Sequence, residues 1–156
     1  MKTITVGEKA PLFTLLDENE KEVSLASYIG KKQVLVYFYP KAMTPGCTVQ
    51  AQGLRDSKEQ LDALNTVVFG ISPDEPKRLA KFCVRDELNF TLLSDPEHKV
   101  ADDFGVWGLK KFMGKEYDGI HRLSFLIGLD GNISHVFNKF KTKTHHEVVL
   151  SYLENQ

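Results

Sequence analysis

Hydrophobic and polar positions alternate along this chain in blocks whose lengths already suggest elements. Leu12 to Leu16 and Glu22 to Leu25 flank the polar stretch Asp17-Glu18-Asn19-Glu20-Lys21, which predicts a strand pair across a turn near the N-terminus. Gln33 to Tyr39 is an unbroken apolar run of strand length, rich in valine and aromatics, as expected of a strand buried on both faces. Thr48 to Leu64 changes period: Ala51, Leu54, Leu61 and Leu64 fall on roughly one helical face, with Gly53 as a weak point. Thr66 to Ser72 is a second buried strand. Pro73-Asp74-Glu75-Pro76 then opens a helix to about Glu87, with Leu79, Phe82 and Cys83 facing inward.

The second half continues the alternation. Leu92 to Ser94 predicts a short strand, and Pro96 to Phe104 a helix with Val100 and Phe104 on its apolar side. Leu123 to Leu129 and Ile133 to Phe137 make a hairpin around Asp130-Gly131. A closing helix carries Val148, Val149, Leu150 and Leu153. Strands alternating with helices, then a hairpin and a helix, predict an α/β fold: a central mixed β-sheet flanked by helices, with an N-terminal β-hairpin. No linker, repeat or low-complexity stretch divides the 156 residues, so one domain is expected over 1–156.

Composition narrows the class. Apolar content of 42% and charged content of 26% describe a soluble globular chain. With a net charge of −1 and its charges interspersed, the chain offers no basic groove for nucleic acid and no face for an anionic membrane. Neither a signal peptide nor a membrane span is visible, and two cysteines do not make a secreted disulfide scaffold, so a cytoplasmic location is expected.

Those two cysteines differ in setting. Cys47 follows the loop Tyr39-Pro40-Lys41-Ala42-Met43-Thr44-Pro45-Gly46 and precedes a predicted helical turn. The start of a helix offers unpaired backbone N–H groups and a positive dipole, which favour thiolate over thiol. Pro40 and Pro45 restrict the loop, Gly46 leaves the backbone open beside the sulfur, and Thr44 can bring a hydroxyl near it. The competing reading of these local features is a buried structural cysteine at a strand–helix corner.

The pattern Pro40-x-x-x-Thr44-x-x-Cys47 resembles the signature of the peroxiredoxins, thiol peroxidases that reduce hydroperoxides with a cysteine thiolate. The wider stretch Tyr37 to Thr48 is similar to the bacterioferritin-comigratory-protein, or Q-type, branch. So are Phe104-Gly105-Val106-Trp107-Gly108, Met113-Gly114-Lys115 and Gly119-Ile120-His121-Arg122. The resemblance runs from about Gly7 to the C-terminal helix. It implies a thioredoxin-like fold, Cys47 as nucleophile, Arg122 and Thr44 as its electrostatic and hydrogen-bonding partners, and Pro40 as a shield against water. It also implies a hydroperoxide substrate, recycling by thioredoxin or a similar dithiol protein, a monomer, a role in antioxidant defence, and no cofactor. From spacing alone, a strand-end arginine in solvent is the favoured reading of Arg122, and only the resemblance reverses it.

Acidifying a thiol does not by itself make a peroxidase. Lowering a thiol pKa from ~8.5 to ~6 gains roughly thirty-fold in thiolate, about 2 kcal/mol, against the ~8–23 kcal/mol usual in enzymes. Nucleophilicity falls along with basicity. Donors aimed at the peroxide oxygens must supply the remainder. The sulfenic acid formed on Cys47 then needs a thiol. Many members of the branch carry a resolving cysteine five residues after the nucleophile, where this chain has Gln52. A subset is similar to the arrangement left here, with Cys83 on the following helix. Cys83 is therefore either the resolving partner in an intramolecular disulfide or an inert core residue beside Leu79 and Phe82 in a one-cysteine enzyme.

Three other features weigh less. His145-His146 reads as a solvated helix start with no second ligand pair, so no metal site is expected. Trp107, Phe112 and Met113 are candidates for the mouth of the site or for the core. Asn89-Phe90-Thr91 and Asn132-Ile133-Ser134 match glycosylation acceptors by chance. A redox sensor read by a partner remains a competing function, whereas a disulfide oxidoreductase lacks its Cys-x-x-Cys pair, since Gln50 stands three after Cys47.

Overall fold

The structure, a computed structural model, describes residues 1–156. Its centre is the apolar run read above as a buried strand, β3 (Gln33–Phe38). Parallel to it lies β4 (Thr66–Ser72), and parallel to that β5 (Thr91–Ser94). On the other side β8 (Ser124–Ile127) runs antiparallel to β3, and β9 (Ile133–Phe137) follows it through a bulge at Leu126/Ile127. The N-terminal hairpin, β1 (Thr14–Asp17) and β2 (Glu22–Ser24), joins β5 at the far edge. The seven strands are ordered β2-β1-β5-β4-β3-β8-β9. This is the mixed sheet the alternation predicted.

Burial on both faces follows from the two-residue period of a strand. Val34, Val36 and Phe38 join a 17-residue cluster with Phe69, Phe104 and Phe125. Leu35, Tyr37 and Tyr39 join the opposite cluster of 16, which holds Cys47, Ala51 and Leu54 together with Leu79, Phe82, Val149 and Leu153. Helices α1 (Pro45–Asp56), α3 (Pro76–Asp86) and α5 (His145–Glu154) contribute to that second face, and α4 (Lys99–Phe104) to the first. Each fully buried Leu or Phe contributes about 1.5–3 kcal/mol, so both layers drive the fold. None of these helices is long and apolar enough to cross a membrane.

Several boundaries differ from the sequence reading. The single helix expected over Thr48 to Leu64 is two, α1 and α2 (Lys58–Ala63), broken where Ser57 Oγ donates back to the Gly53 carbonyl at 2.8 Å. Gly53 is more than a weak point in α1, because the His146 ring of α5 occupies the space a Cβ would fill. Helix α4 starts at Lys99 instead of Pro96: the Asp95 carboxylate accepts from the Val100 and Ala101 amides at 3.3 and 3.0 Å and sets its first turn. The segment between α4 and β8, read without elements, is a two-stranded ribbon, β6 (Trp107–Phe112) and β7 (Lys115–Ile120). Its turn puts both Met113 and Gly114 at positive φ, the geometry of a tight two-residue hairpin.

The expectation of a solvated His145 is overturned. His145 is fully buried, its Nε2 shares a 2.7 Å hydrogen bond with Ser124 Oγ, and its ring packs on Phe140. Burial, then the nearby His146 and Arg122 charges, push its pKa down to about 3. His145 thus ties the start of α5 to the strand that follows Arg122.

Two outcomes follow from this packing. Gly70 pairs with Tyr37 in the β3–β4 ladder, and a Cβ on Gly70 would lie 2.8 Å from the fully buried Tyr37 ring. Gly70→Ala should therefore cost about 1–3 kcal/mol in urea unfolding, although alanine is the better-ordered residue. An unchanged or raised midpoint would contradict the packing. The second concerns acid. Above pH ~6.5 His145 is neutral in both states; below it the unfolded chain binds a proton the folded chain refuses, and stability is lost as pH falls. Between pH 7 and pH 5 the wild type should lose about 2 kcal/mol more than His145→Gln, measured by urea unfolding at each pH. Parallel losses in the two proteins would contradict it.

Candidate active site

Strand β3 ends at Phe38, and the chain turns at the strand ends of the sheet through Tyr39 and Pro40 into α1. Cys47 is the third residue of that helix and only 1% exposed. Pro45 at the first helical position has no N–H to lose, and the amides of Gly46 and Cys47 precede the first intrahelical bond, from Thr48 N to the Thr44 carbonyl at 2.9 Å. The sulfur therefore sits among donors that the helix itself leaves open.

The loop before it is clamped. Asp74 accepts from the Ala42 amide at 2.7 Å and from Ser72 Oγ at 2.7 Å, and its other oxygen pairs with Arg78 Nε at 3.2 Å. Arg78 Nη2 in turn donates to the Ala42 carbonyl at 2.9 Å. Held this way, Met43 adopts a left-handed φ of 66°, a conformation that costs a non-glycine residue about 1 kcal/mol or more. Neither Asp74 nor Arg78 was singled out from sequence; the only signal was their place beside Pro73 and Pro76.

Arg122 reaches the same point from the other side. It lies two residues before β8, whose Ser124 pairs with Tyr37 near the end of β3. Its Nη2 donates to Cys47 Sγ at 3.1 Å, and its Nη1 donates to Gln50 Oε1 at 3.0 Å. Gly46 leaves the guanidinium room, since a Cβ there would lie 3.1 Å from Nη2. Gln50 is fully buried and its Nε2 has no partner. Sequence reasoning used Gln50 only to exclude a second cysteine. No sequence signal marks its role, because a polar residue on the inner side of a helix reads like one that faces solvent.

The other candidates separate. The Thr44 hydroxyl donates to the Lys41 carbonyl at 2.8 Å, so in this arrangement it closes the loop and does not bond the sulfur. Pro40 is half-buried and lines a cleft of about 330 Å³ with Pro73, Trp107, Lys110 and Tyr117. Lys110 donates to the Ile120 carbonyl at 2.7 Å; burial lowers its pKa, with a further push from Arg122 and a partial offset from Cys47. Trp107 stacks on His98 at 3.8 Å. Phe112 and Met113, at 66% and 86% exposed on the ribbon tip, belong neither to that cleft nor to the core.

Cys83 is a free thiol on α3, half-buried and packed against the cluster that holds Cys47. Burial pushes its pKa up to about 12, with Glu18 and Asp17 adding to the rise. A polar seam joins its helix to α1. Arg85 Nη2 donates to Thr48 Oγ1 at 2.7 Å, Gln52 Nε2 to Asp86 Oδ1 at 3.1 Å, and Arg55 Nη1 to the Asp86 carbonyl at 2.8 Å.

A buried thiol held by a guanidinium at a helix start is equipped to attack an electrophilic oxygen and to steady the charge that leaves it. Known proteins agree with that chemistry. The AhpC/TSA family profile matches residues 6–136. Peroxiredoxin Bcp of Escherichia coli is 56% identical over 154 residues, covering 99% of this chain and 98% of its own. The crystal structure of peroxidoxin BcpB from Mycobacterium tuberculosis superposes with a TM-score of 0.86 at 30% identity, covering 97% of each chain. A cysteine-to-serine variant of Xylella fastidiosa PrxQ does so with a TM-score of 0.92 at 26% identity, over 99% of this chain and 98% of that one. Sequence and fold alike thus make the chain a member of the AhpC/TSA family in its Bcp/PrxQ group, a thioredoxin-fold thiol peroxidase that takes a peroxide substrate and a thiol reductant.

Proposed function

We propose that Cys47 is the peroxidatic nucleophile and that Arg122, held by Gln50, is its electrostatic partner. The 3.1 Å contact from Arg122 Nη2 to Cys47 Sγ carries this reading. The Cys47 thiolate attacks the terminal oxygen of the hydroperoxide, the O–O bond breaks, and the leaving alkoxide or hydroxide takes a proton. The products are a Cys47 sulfenic acid and an alcohol or water. Arg122 and the open amides of the first helical turn stabilise the oxygen on which charge accumulates. Pro40 shields the sulfur, and Thr44 turns its hydroxyl from Lys41 toward the peroxide when substrate enters.

The cycle closes through Cys83. Its thiolate attacks the Cys47 sulfur, hydroxide leaves as water, and the intramolecular disulfide is reduced by thioredoxin or a similar dithiol protein. A thiol pushed up to about 12 supplies almost no thiolate at neutral pH. Unwinding the first turns of α1 after Cys47, together with the α3 segment around Cys83, opens Cys83 to water, returns it to the ordinary thiol range near ~8.5 and lets the two sulfurs meet, so one local unfolding step meets both the geometric and the chemical requirement. The protein acts as a cytoplasmic monomer in antioxidant defence and redox homeostasis. A one-cysteine cycle, with Cys83 structural, is the second reading, and the packing of Cys83 beside the Cys47 cluster favours it.

Arg122→Lys should slow Cys47 oxidation by about 2–3 kcal/mol in stopped-flow, because one ammonium cannot bond Gln50 and the sulfur through a fixed fork. An unchanged rate would return Arg122 to a surface role, and peroxidase activity surviving in Cys47→Ser would refute the nucleophile. After one equivalent of peroxide, peptide mapping should recover a Cys47–Cys83 crosslink. The oxidised form should also exchange amide hydrogens faster across about Thr48 to Arg55. Full thioredoxin-driven turnover in Cys83→Ser would establish the one-cysteine cycle instead.

A further inference from the structure

Breaking the O–O bond leaves a strongly basic oxygen, and the groups that touch Cys47 are poor sources of a proton for it. The thiolate carries none, the amides at the helix start do not ionise, and Arg122 keeps its proton at any working pH. The hydrogen on the attacked oxygen stays with the sulfenic acid. Hydroxide is the conjugate base of an acid with a pKa near ~15.7, so a proton donor at the leaving oxygen bears directly on the rate.

A half-buried ammonium stands in the cleft beside Pro40. Lys110 lies on β6 and shares that space of about 330 Å³ with Pro40, Trp107, Tyr117 and Ile120. Its Nζ makes one bond, to the Ile120 carbonyl at 2.7 Å, two residues before Arg122. No carboxylate pairs with it: its neighbour Lys111 takes Glu116 at 3.6 Å, and Asp118 on the cleft wall is not bonded to Nζ. The remaining N–H groups of the ammonium are therefore free. Burial lowers its pKa, Arg122 lowers it further, and Cys47 partly offsets both, so the two groups of the site act on this ammonium. Exposed Lys41 and Asp118 are the other charged groups of the cleft.

The base of the ribbon keeps the lysine in place. Trp107 pairs with Ile120 and stacks on His98 at 3.8 Å, and the His121 amide donates to the Val106 carbonyl at 2.8 Å. The short segment from Ile120 to Arg122 thus carries the anchor of the ammonium at one end and the guanidinium on the sulfur at the other.

We propose that Lys110 is the general acid of peroxide reduction, its ammonium protonating the oxygen that leaves while Arg122 holds the sulfur. The inference rests on Cys47 as the nucleophile. A hydroperoxide whose terminal oxygen meets Sγ extends its second oxygen and organic group past Pro40 into the cleft. The thiolate electron pair forms the S–O bond, the O–O pair passes to the second oxygen, and that oxygen takes a proton from Lys110 Nζ. Sulfur is oxidised by two electrons and the peroxide is reduced by two. The products are the Cys47 sulfenic acid, an alcohol or water, and a neutral Lys110 amine, which regains its proton from solvent.

The test compares two oxidants of similar size on the full-length reduced protein. Ethyl hydroperoxide releases a basic alkoxide, whereas peracetic acid releases a carboxylate, whose conjugate acid has a pKa of about 4 and which needs no donor. Lys110→Met should slow Cys47 oxidation by ethyl hydroperoxide about a hundredfold in stopped-flow and leave oxidation by peracetic acid at the wild-type rate. Equal loss with both oxidants would make Lys110 a structural residue, and no loss with either would remove it from the reaction; both results overturn the proposal. In the wild type, rates across a series of alkyl hydroperoxides should depend weakly on the basicity of the leaving oxygen, and steeply in Lys110→Met. A steep dependence in the wild type would overturn the proposal without any variant. Mass spectrometry locates the oxidised residue. With the sulfenic acid on Cys47, these failures overturn the role of Lys110 alone; a sulfenic acid absent from Cys47 would overturn the nucleophile and this inference with it.

Discussion

The contact between Arg122 and Cys47 joins two parts of the chain 75 residues apart, and much of the architecture is needed to make it. The loop that leads to Cys47 leaves the end of β3. Antiparallel β8 begins where β3 finishes, so the residue just before it arrives at the same end of the sheet. Helix α1 then turns back over the opposite face with its N-terminus aimed at the meeting point. Each piece is ordinary: a buried strand, a proline-started helix, a hairpin edge. Their juxtaposition creates a place where a guanidinium and a helix dipole act on one sulfur.

That place is held at some cost to stability. Gln50 is buried with its nitrogen unpartnered, a loss of about 1–3 kcal/mol for a desolvated donor. Met43 occupies a left-handed conformation, and the buried Asp74 is committed to the loop. The aromatic and aliphatic layers on both faces of β3 offset these costs many times over. The loop before Cys47 and the Arg122 guanidinium are each held by more than one hydrogen bond. The polar seam between α1 and α3, Thr48–Arg85 and Gln52–Asp86, consists of side-chain hydrogen bonds worth about 1 kcal/mol each, the kind of contact that can open during a catalytic cycle.

Periodicity was enough to find the parts of the fold that are buried on two faces. Gln33 to Tyr39 and Thr66 to Ser72 read directly as strands because nothing polar interrupts them. It failed where burial is partial. The β6–β7 ribbon carries lysines, glycines and exposed apolar residues, and its turn is Met113-Gly114 instead of Asn-Gly, so neither alternation nor turn chemistry marks it. Within the site, Cys47 was legible from its loop, and Arg122 only through the resemblance. Gln50 and the Asp74–Arg78 clamp were not, since a polar residue facing inward looks the same in sequence as one facing out. His145 was misread for that reason: two adjacent histidines at a helix start suggest solvent, and only the fold brings Ser124 against one of them.

The central claim is that peroxide reduction depends on how Arg122 is held, more than on the thiol alone. Gln50→Met tests it most directly. It keeps the side-chain volume, removes the one acceptor behind Arg122, and leaves Cys47 and Arg122 in place. Stopped-flow measurement of Cys47 oxidation, followed through the single Trp107, should show a fall of about ten- to a hundredfold with the urea midpoint unchanged or raised. A wild-type oxidation rate in a folded Gln50→Met protein would contradict the account.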